Sequence, residues 1–166
     1  ASVTLLLSTL STPIGNLNLI ADEHILLAAN LSNLKALKES LSQEDSERDV
    51  KNVSRIPIIT DLISDYFEGD IAALNAISVR QPGAHFSQEA WKAMKKVKAG
   101  KVISYSELAE RAGSPAAVRA AGSACAKNAI VLIVPCHRIV KTGGALGNYA
   151  YGLDKKAWLL RHEGAL

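Results

Sequence analysis

Cysteine is scarce: only Cys125 and Cys136 occur in 166 residues, eleven positions apart. With no second pair, a disulfide framework and a zinc-ribbon spacing are both excluded, and two reduced thiols fit a cytosolic compartment. Long hydrophobic runs are also missing. The longest, such as Ile130 to Val134, fall far short of a bilayer span, so no membrane association is expected. The stretch from Val3 to Leu10 has no basic leader and is broken by Thr and Ser, so it is not expected to be a targeting signal. No internal repeat or low-complexity tract is present. The chain is therefore expected in the cytoplasm, with the nucleoid in a prokaryote or in the nucleus of a eukaryote.

What is present can build a core. Hydrophobic residues make up 48% of the chain, enough at this length for one ordinary domain or two small ones. The formal net charge of +3 conceals a division. Residues 1–84 carry 6 Lys and Arg against 11 Asp and Glu, whereas residues 85–166 carry 13 against 5. The positive excess lies wholly in the second half, which marks it as the half that meets a polyanion, nucleic acid being the commonest. Lysines on solvated helix faces would give the same count.

The first thirty residues alternate apolar runs with turn signals. Val3 to Leu10, Leu17 to Ala21 and Ile25 to Leu31 are separated by Thr12-Pro13-Ile14-Gly15 and Asp22-Glu23-His24, the pattern of an antiparallel β-meander. Helical spacing is predicted for Leu34 to Leu41 and for the face made by Ile59, Leu62, Ile63, Tyr66 and Phe67. Between them, Gln43 to Arg55 reads as a charged surface loop. A polar passage around Arg80 to Ala84 reads as a linker, giving an αβ domain over 1–84 and a second domain over 85–166.

The second half opens on a helix predicted from Ser87 to Lys98 and closed by Gly100. A short β-prone piece, Val102 to Tyr105, leads into a capping box formed by Ser104 and Glu107. The helix it starts ends at Gly113. Ser114-Pro115 begins another at once, Ser as N-cap and Pro in the first helical position, which makes a helix-turn-helix pattern. The second helix, Ala116 to Lys127, has almost no large side chains. Ala116, Ala117, Ala120, Ala121, Gly122 and Ala124 leave Arg119 as a lone cationic probe, as a helix seated in a DNA groove would need. The same residues also suit a thin helix packed in a core.

Ile130-Val131-Leu132-Ile133-Val134 is an apolar run of strand length, predicted buried, that delivers Pro135-Cys136-His137-Arg138 at its end. A cysteine beside apolar sequence is ordinarily inert packing. His137 and Arg138 change that reading, because positive potential and an imidazole favour the thiolate, the nucleophilic form. Consecutive side chains on extended backbone point apart, so a proton leaving Cys136 for His137 is expected to pass through a bridging water. Glu163 falls in the last turn of a helix predicted from Asp154 to Arg161, where an acid opposes the helix dipole. A carboxylate holding the far side of His137 would give it a reason to be there, the alternative being a solvent-exposed glutamate.

In order and spacing, Ile103-Ser104-Tyr105, Ala117-Val118-Arg119-Ala120-Ala121-Gly122, Asn128, Ile133-Val134-Pro135-Cys136-His137-Arg138, Gly147-Asn148-Tyr149 and Trp158-Leu159-Leu160-Arg161-His162-Glu163-Gly164 resemble the O6-alkylguanine-DNA alkyltransferases. The likeness covers nearly the whole second half. Thr12-Pro13-Ile14-Gly15 and the following strand are compatible with that family's N-terminal αβ domain. The resemblance implies an α+β fold, with a small N-terminal αβ domain built on an antiparallel, RNase H-like sheet and a mainly helical C-terminal domain containing the helix-turn-helix. It implies direct-reversal repair: irreversible, single-turnover transfer of an alkyl group from O6-alkylguanine, and from O4-alkylthymine, to Cys136 after the base is flipped out of double-stranded DNA through the minor groove.

Under the resemblance His137 is the water-mediated base, Glu163 its orienting partner, and Asn128 the brace of the turn presenting Cys136. Tyr105 would donate toward guanine N3. Arg119 would fill the stack left by the flipped nucleotide, with Ser104, Ser114, Ala117 and Ala120 also against DNA. The carbonyls of Cys136 and Ile139 would accept from the guanine amino group, and Val131, Tyr149, Ala150 and Tyr151 would wall the pocket. Some relatives place serine just after the Gly-Asn-Tyr segment, near guanine O6. Ala150 stands here, followed by the bulky Tyr151, so only a backbone N–H is offered to O6 from that position.

Some relatives hold zinc in the N-terminal domain. With no Cys before residue 125 and only His24 and His85 to draw on, no metal is expected, nor any cofactor, and the protein is expected to be a monomer. Two other classes match parts of the pattern. A thiol hydrolase would need a nucleophile motif this chain lacks, and adjacent Cys-His is poor dyad geometry. A non-catalytic helix-turn-helix binder of lesions or of a defined sequence has no need of Cys136.

Overall fold

The computed structural model describes residues 3–166; positions 1 and 2 of the predicted first domain lie outside the described residues. The chain divides into two compact units. One reaches to Pro82 and takes in Ala129–Ile133, and the other is made of Gly83–Asn128 and Val134–Leu166. A single cut near residue 84 misses that the apolar run ahead of Cys136 returns to the first unit.

In the first unit the alternating pattern gives β1 (Leu5–Thr12), β2 (Gly15–Asp22) and β3 (Ile25–Asn30) as an antiparallel meander. Helix α1 (Leu34–Glu39) starts at Asn33, whose side chain accepts from the Ala36 N–H at 2.8 Å. Gln43 to Arg55 is not the plain loop its charges indicate. Ser42 caps a short α2 (Gln43–Ser46), and β4 (Val50–Asn52) pairs parallel to β1. Two of the segment's charges are drawn into an ion-pair cluster: Arg48 reaches Asp22 at 2.8 Å and Asp45 at 3.2 Å, and Arg80 reaches Asp45 at 2.7 Å.

Helix α3 (Ile59–Phe67) follows as the spacing predicts, and β5 (Ser78–Val79) then pairs parallel to β3. The sheet order is β4-β1-β2-β3-β5. Its centre is antiparallel and both edges are parallel, which corrects the expectation of a wholly antiparallel sheet. The edge strands are reached through helical segments rather than tight turns, the connection that parallel pairing needs. Leu5, Leu7, Ile20, Leu27, Ala28 and Leu37 close a core between sheet and α1.

Ile130 to Val134 is buried, as expected, but is not a strand. Ile130 makes one parallel bridge to Ala29, and the Val131 N–H donates to the Ala29 carbonyl at 3.1 Å. Leu132 then takes φ +77°, and the Ile133 N–H donates to the Val131 carbonyl at 2.9 Å. This three-residue turn breaks the ladder after a single bridge.

The second unit contains α4 (His85–Lys95), β6 (Ile103–Ser104), α5 (Tyr105–Arg111), α6 (Val118–Ala126), β7 (Ile139–Val140) and α7 (Leu153–His162). Ser104 caps α5 by accepting from the Glu107 N–H at 3.0 Å. Ser114 does not cap α6, which begins later than predicted, at Val118. Its carbonyl instead accepts from the Ala117 N–H at 2.9 Å in a turn, leaving Pro115 outside the helix.

The alanine-rich helix has one face packed in the core and one open to solvent. Ala121 and Ala124 are buried, and Trp91 of α4 donates its indole N–H to the Ala124 carbonyl at 2.9 Å. Arg119 and Ala120 are exposed. Strands β6 and β7 pair in parallel, Ile103 with Ile139, which brings the start of α5 beside the chain leaving Cys136.

Candidate active site

Cys136–Arg138 forms one 3-10 turn, not extended chain. The Cys136 N–H donates to the Val134 carbonyl at 2.9 Å across Pro135, and the Arg138 N–H donates to the Pro135 carbonyl at 3.0 Å. The tight turn separates neighbouring side chains: Cys136 faces an open cleft, whereas His137 and Arg138 are buried. Asn128 sits across the turn, donating from Nδ2 to the Val134 carbonyl at 2.8 Å and lying 3.6 Å from Cys136 Sγ.

Behind the thiol, His137 Nε2 lies 2.7 Å from Glu163 Oε2. Arg138 donates from Nε to Glu163 Oε1 at 2.9 Å, from Nη2 to Oε2 at 3.0 Å, and from Nη1 to the Val97 carbonyl at 2.7 Å. Glu163 is the residue that ends α7. Burial works to raise its pKa, but the hydrogen bonds and charge of His137 and Arg138 outweigh it and hold the carboxyl far below its ordinary value of 4.5. A carboxylate can only accept, so the imidazole proton sits on Nε2 and Nδ1 is left with a free lone pair. That Nδ1 is buried and has no hydrogen-bond partner among the described residues. Burial outweighs Glu163 at the ring itself, lowering the His137 pKa and keeping the imidazole neutral.

Burial also pushes the Cys136 thiol up, against the Asn128 hydrogen bond and the charge of Lys156. Cys136 therefore rests as a thiol and needs a base, which corrects the expectation that His137 and Arg138 make it a thiolate. The imidazole is neutral, and the Arg138 charge is held by Glu163. The positive charge acting on the sulfur belongs to Lys156, which the sequence reading missed. Lys156 is fully buried, and its Nζ donates to the carbonyls of Ile139 at 2.6 Å and Asn148 at 3.1 Å. A signal existed: at helical spacing it falls on the face of α7 that carries Ala157, Leu159 and Leu160.

The cleft has a volume of about 720 Å³, within the ordinary range for a small-molecule site. Tyr105, Arg119, Cys136, Tyr149 and Ala150 line it, together with Gly122, Lys141, Asn148 and a second thiol, Cys125, to which the sequence reading gave no role. Burial pushes the Cys125 thiol up to about 12, and it is Cys136 Sγ, not this thiol, that Asn128 Nδ2 approaches. Burial likewise raises the Tyr105 phenol, keeping it a neutral donor. Gly147, at φ +76°, lets the loop close on that phenol, since a Cβ there would fall 3.0 Å from the Tyr105 hydroxyl.

Three residues expected at the pocket, Val131 and Tyr151 as walls and Ile139 through its carbonyl, are not among those lining this cleft. Val131 is buried in the first unit against Ala29. Ile139 is buried, with its carbonyl accepting from Lys156. Tyr151 packs edge-on against Tyr149, with ring centroids 5.9 Å apart. Of the residues expected near DNA, Ser104 serves as the α5 cap, Ser114 and Ala117 are half-buried, and Ala120 is exposed. Among the described residues no group of three His, Cys, Asp or Glu side chains is arranged to hold a metal ion.

A family profile for the 6-O-methylguanine DNA methyltransferase, DNA binding domain, matches residues 85–165. The chain is 35% identical over 168 residues to the methylated-DNA–protein-cysteine methyltransferase of Salmonella typhimurium, an alignment covering 98% of this chain and 97% of that protein. With the human methylated-DNA–protein-cysteine methyltransferase it shares 53% identity over 77 residues, 46% of this chain and 37% of that one. The structure of Mycobacterium tuberculosis OGT in complex with DNA superposes with a TM-score of 0.78 at 29% identity, covering 96% of this chain and 93% of that chain. A neutral base fixed behind a cleft-facing cysteine and a likeness running the length of the chain agree: this chain belongs to the methylated-DNA–protein-cysteine methyltransferase family.

Proposed function

We propose that this chain repairs double-stranded DNA by direct reversal, acting as a monomer and moving an alkyl group from O6-alkylguanine, or from O4-alkylthymine, onto Cys136. The observation that carries the reading is the buried, unpartnered Nδ1 of His137, held as a base by Glu163 behind a thiol that faces the cleft. A bridging water takes the thiol proton and passes one to Nδ1, and the imidazolium so formed is stabilised by the Glu163 carboxylate. The sulfur attacks the alkyl carbon. A C–S bond forms, the C–O6 bond breaks, and its electron pair passes into the purine, where proton donation from Tyr105 to N3 makes guanine a better leaving group.

A base inside a duplex cannot reach a thiol recessed in a cleft, so it must be flipped out at a cost of a few kcal/mol. The exposed Arg119, on the slender α6, is suited to entering through the minor groove and filling the vacated stack. The product is a thioether, which no group assigned to the site is equipped to cleave, so each molecule acts once. Mixing protein with excess O6-methylguanine duplex tests this. Repaired guanine should plateau at one equivalent per protein, and continued accumulation would contradict it.

Two substitutions separate the flipping step from the chemistry. Arg119→Ala should slow repair of the duplex by about tenfold to a hundredfold, the equivalent of a few kcal/mol lost from flipping, while leaving reaction with free O6-benzylguanine unchanged. Equal slowing on both would remove Arg119 from the flipping step. Gly147→Ala should slow both substrates by roughly tenfold, because a Cβ at this positive φ crowds the Tyr105 hydroxyl. Full activity in single-turnover assays would mean that the Tyr105 position is not set by this contact.

A further inference from the structure

The transfer chemistry gives no part to Lys141. The residue lines the cleft and follows β7 directly, so a two-residue strand separates it from the turn that carries Cys136. Its backbone is held in a tight turn: the Lys141 N–H donates to the Ala145 carbonyl at 2.9 Å, and the Lys141 carbonyl accepts from the Gly144 N–H at 3.0 Å. Its stem is placed as well. Lys141 Cγ lies 3.5 Å from the point that a Cβ on Gly147 would occupy, and the Tyr105 hydroxyl lies 3.0 Å from that same point. The stem therefore passes beside the phenol, and the ammonium, beyond Cγ on an exposed side chain, stands at the cleft rim.

Two cations line this cleft, Arg119 from α6 and Lys141 from the loop after β7, and no carboxylate lines it. Among the described residues neither has a carboxylate within ion-pair distance. Arg138, behind the thiol, has its counter-ion in Glu163. The α6 wall itself offers an anion little: Val118, Gly122 and Ala126 carry no side-chain donor, and Ser123 carries a single hydroxyl. The two cations suit different parts of one nucleotide. A guanidinium is planar and stacks on a base, the part given to Arg119, whereas an ammonium is a compact point charge that meets a phosphate oxygen from any direction.

We propose that Lys141 is a binding residue for the flipped nucleotide: its ammonium takes the phosphodiester that arrives at the cleft rim when the base swings in toward Cys136. The inference rests on the direct-reversal reading of this cleft. Turning a nucleotide about its backbone carries its own phosphate to the mouth of the pocket along with the base. A contact made only in that state shifts the equilibrium toward it. Lys141 therefore favours the extrahelical nucleotide over the stacked one, and adds little to the grip on an undisturbed duplex.

The test compares wild type with Lys141→Ala and Lys141→Arg in three measurements. The first is the single-turnover rate constant on an O6-methylguanine duplex at saturating protein, from about 50 to about 200 mM salt. The second is the rate with free O6-benzylguanine, and the third is affinity for the same duplex without the lesion. In Lys141→Ala the duplex rate constant should fall about tenfold relative to the free-base rate, the scale of one charge-assisted hydrogen bond. Its logarithmic dependence on salt should be shallower by about one, as loss of one phosphate contact predicts. Affinity for the unmodified duplex should fall by less than about twofold, and Lys141→Arg should restore most of the rate. If Lys141→Ala lets the loop rearrange, Lys141→Gln keeps the stem without the charge and must give the same results. Equal slowing on duplex and free base overturns the proposal, because it places the effect in the pocket. A loss of unmodified-duplex affinity as large as the loss in rate overturns it too, since the contact is then to stacked DNA, and so does an unchanged duplex rate. Wild-type protein that leaves Cys136 unmethylated overturns the direct-reversal reading itself, and this inference with it.

Discussion

Cys136→Ala abolishes alkyl transfer while leaving duplex affinity unchanged. The sulfur is the atom that forms the new bond, so no partial activity is expected from its removal. The substitution should fold, because the side chain is only half-buried and the turn is held by backbone and Asn128 contacts to Val134 rather than by the thiol. Cys125→Ala is the matched control. It removes a thiol from the same cleft but should leave transfer intact, since the Asn128-braced turn presents Cys136 instead. Single-turnover assays and gel shifts on both variants decide the matter. Residual transfer in Cys136→Ala, lost on removing Cys125, would move the acceptor to the wrong residue.

Glu163→Gln should cost about 3–5 kcal/mol of stability and slow transfer by about tenfold to a hundredfold. Both effects come from one carboxylate serving two partners. Arg138 loses two charge-assisted bonds and keeps the Val97 carbonyl, leaving a buried cation without its counter-ion. His137 loses the anion that stabilises its imidazolium, so it becomes a poorer base. The pH dependence separates the two. Glu163 has a depressed folded pKa, so its stabilisation is complete above its ordinary value of 4.5 and is lost as pH falls through the folded value. His137, also depressed, makes the wild type lose stability as pH falls below 6.5, because the unfolded chain takes up a proton that the buried ring resists. The stability gap between wild type and Glu163→Gln, measured by denaturant melts, should therefore be steady from about pH 8 to about pH 5 and narrow below about 4.5. A gap that vanishes at neutral pH would mean the carboxylate is not the counter-ion of Arg138.

Much of this site was legible in the sequence because spacing carries it. Ser104 three residues before Glu107 fixed the start of α5 and with it Tyr105, and small residues around Arg119 left one long cation exposed on α6. Glu163 was readable as an acid in a place the helix dipole disfavours, and it lies against His137. What was not legible depends on three-dimensional engagement. The charge of Arg138 looked available to Cys136, yet it is taken up by Glu163 from the far end of α7. Lys156 was given no role, yet helical phase turns it inward. The run before Cys136 was correctly expected to be buried, but composition cannot announce the positive φ at Leu132 that turns it away from a strand. The parallel edge strands were hidden for a related reason: two or three residues of pairing leave no alternation to read.

The most direct test of the account is the mass of the peptide containing Cys136 after the protein has reacted with one equivalent of duplex bearing an isotopically labelled O6-methyl group. The account predicts a gain of one labelled methyl group, less the displaced hydrogen, on Cys136 alone, with unmodified guanine left in the DNA. Label on Cys125, on another residue or released into solution while the DNA is repaired would contradict it.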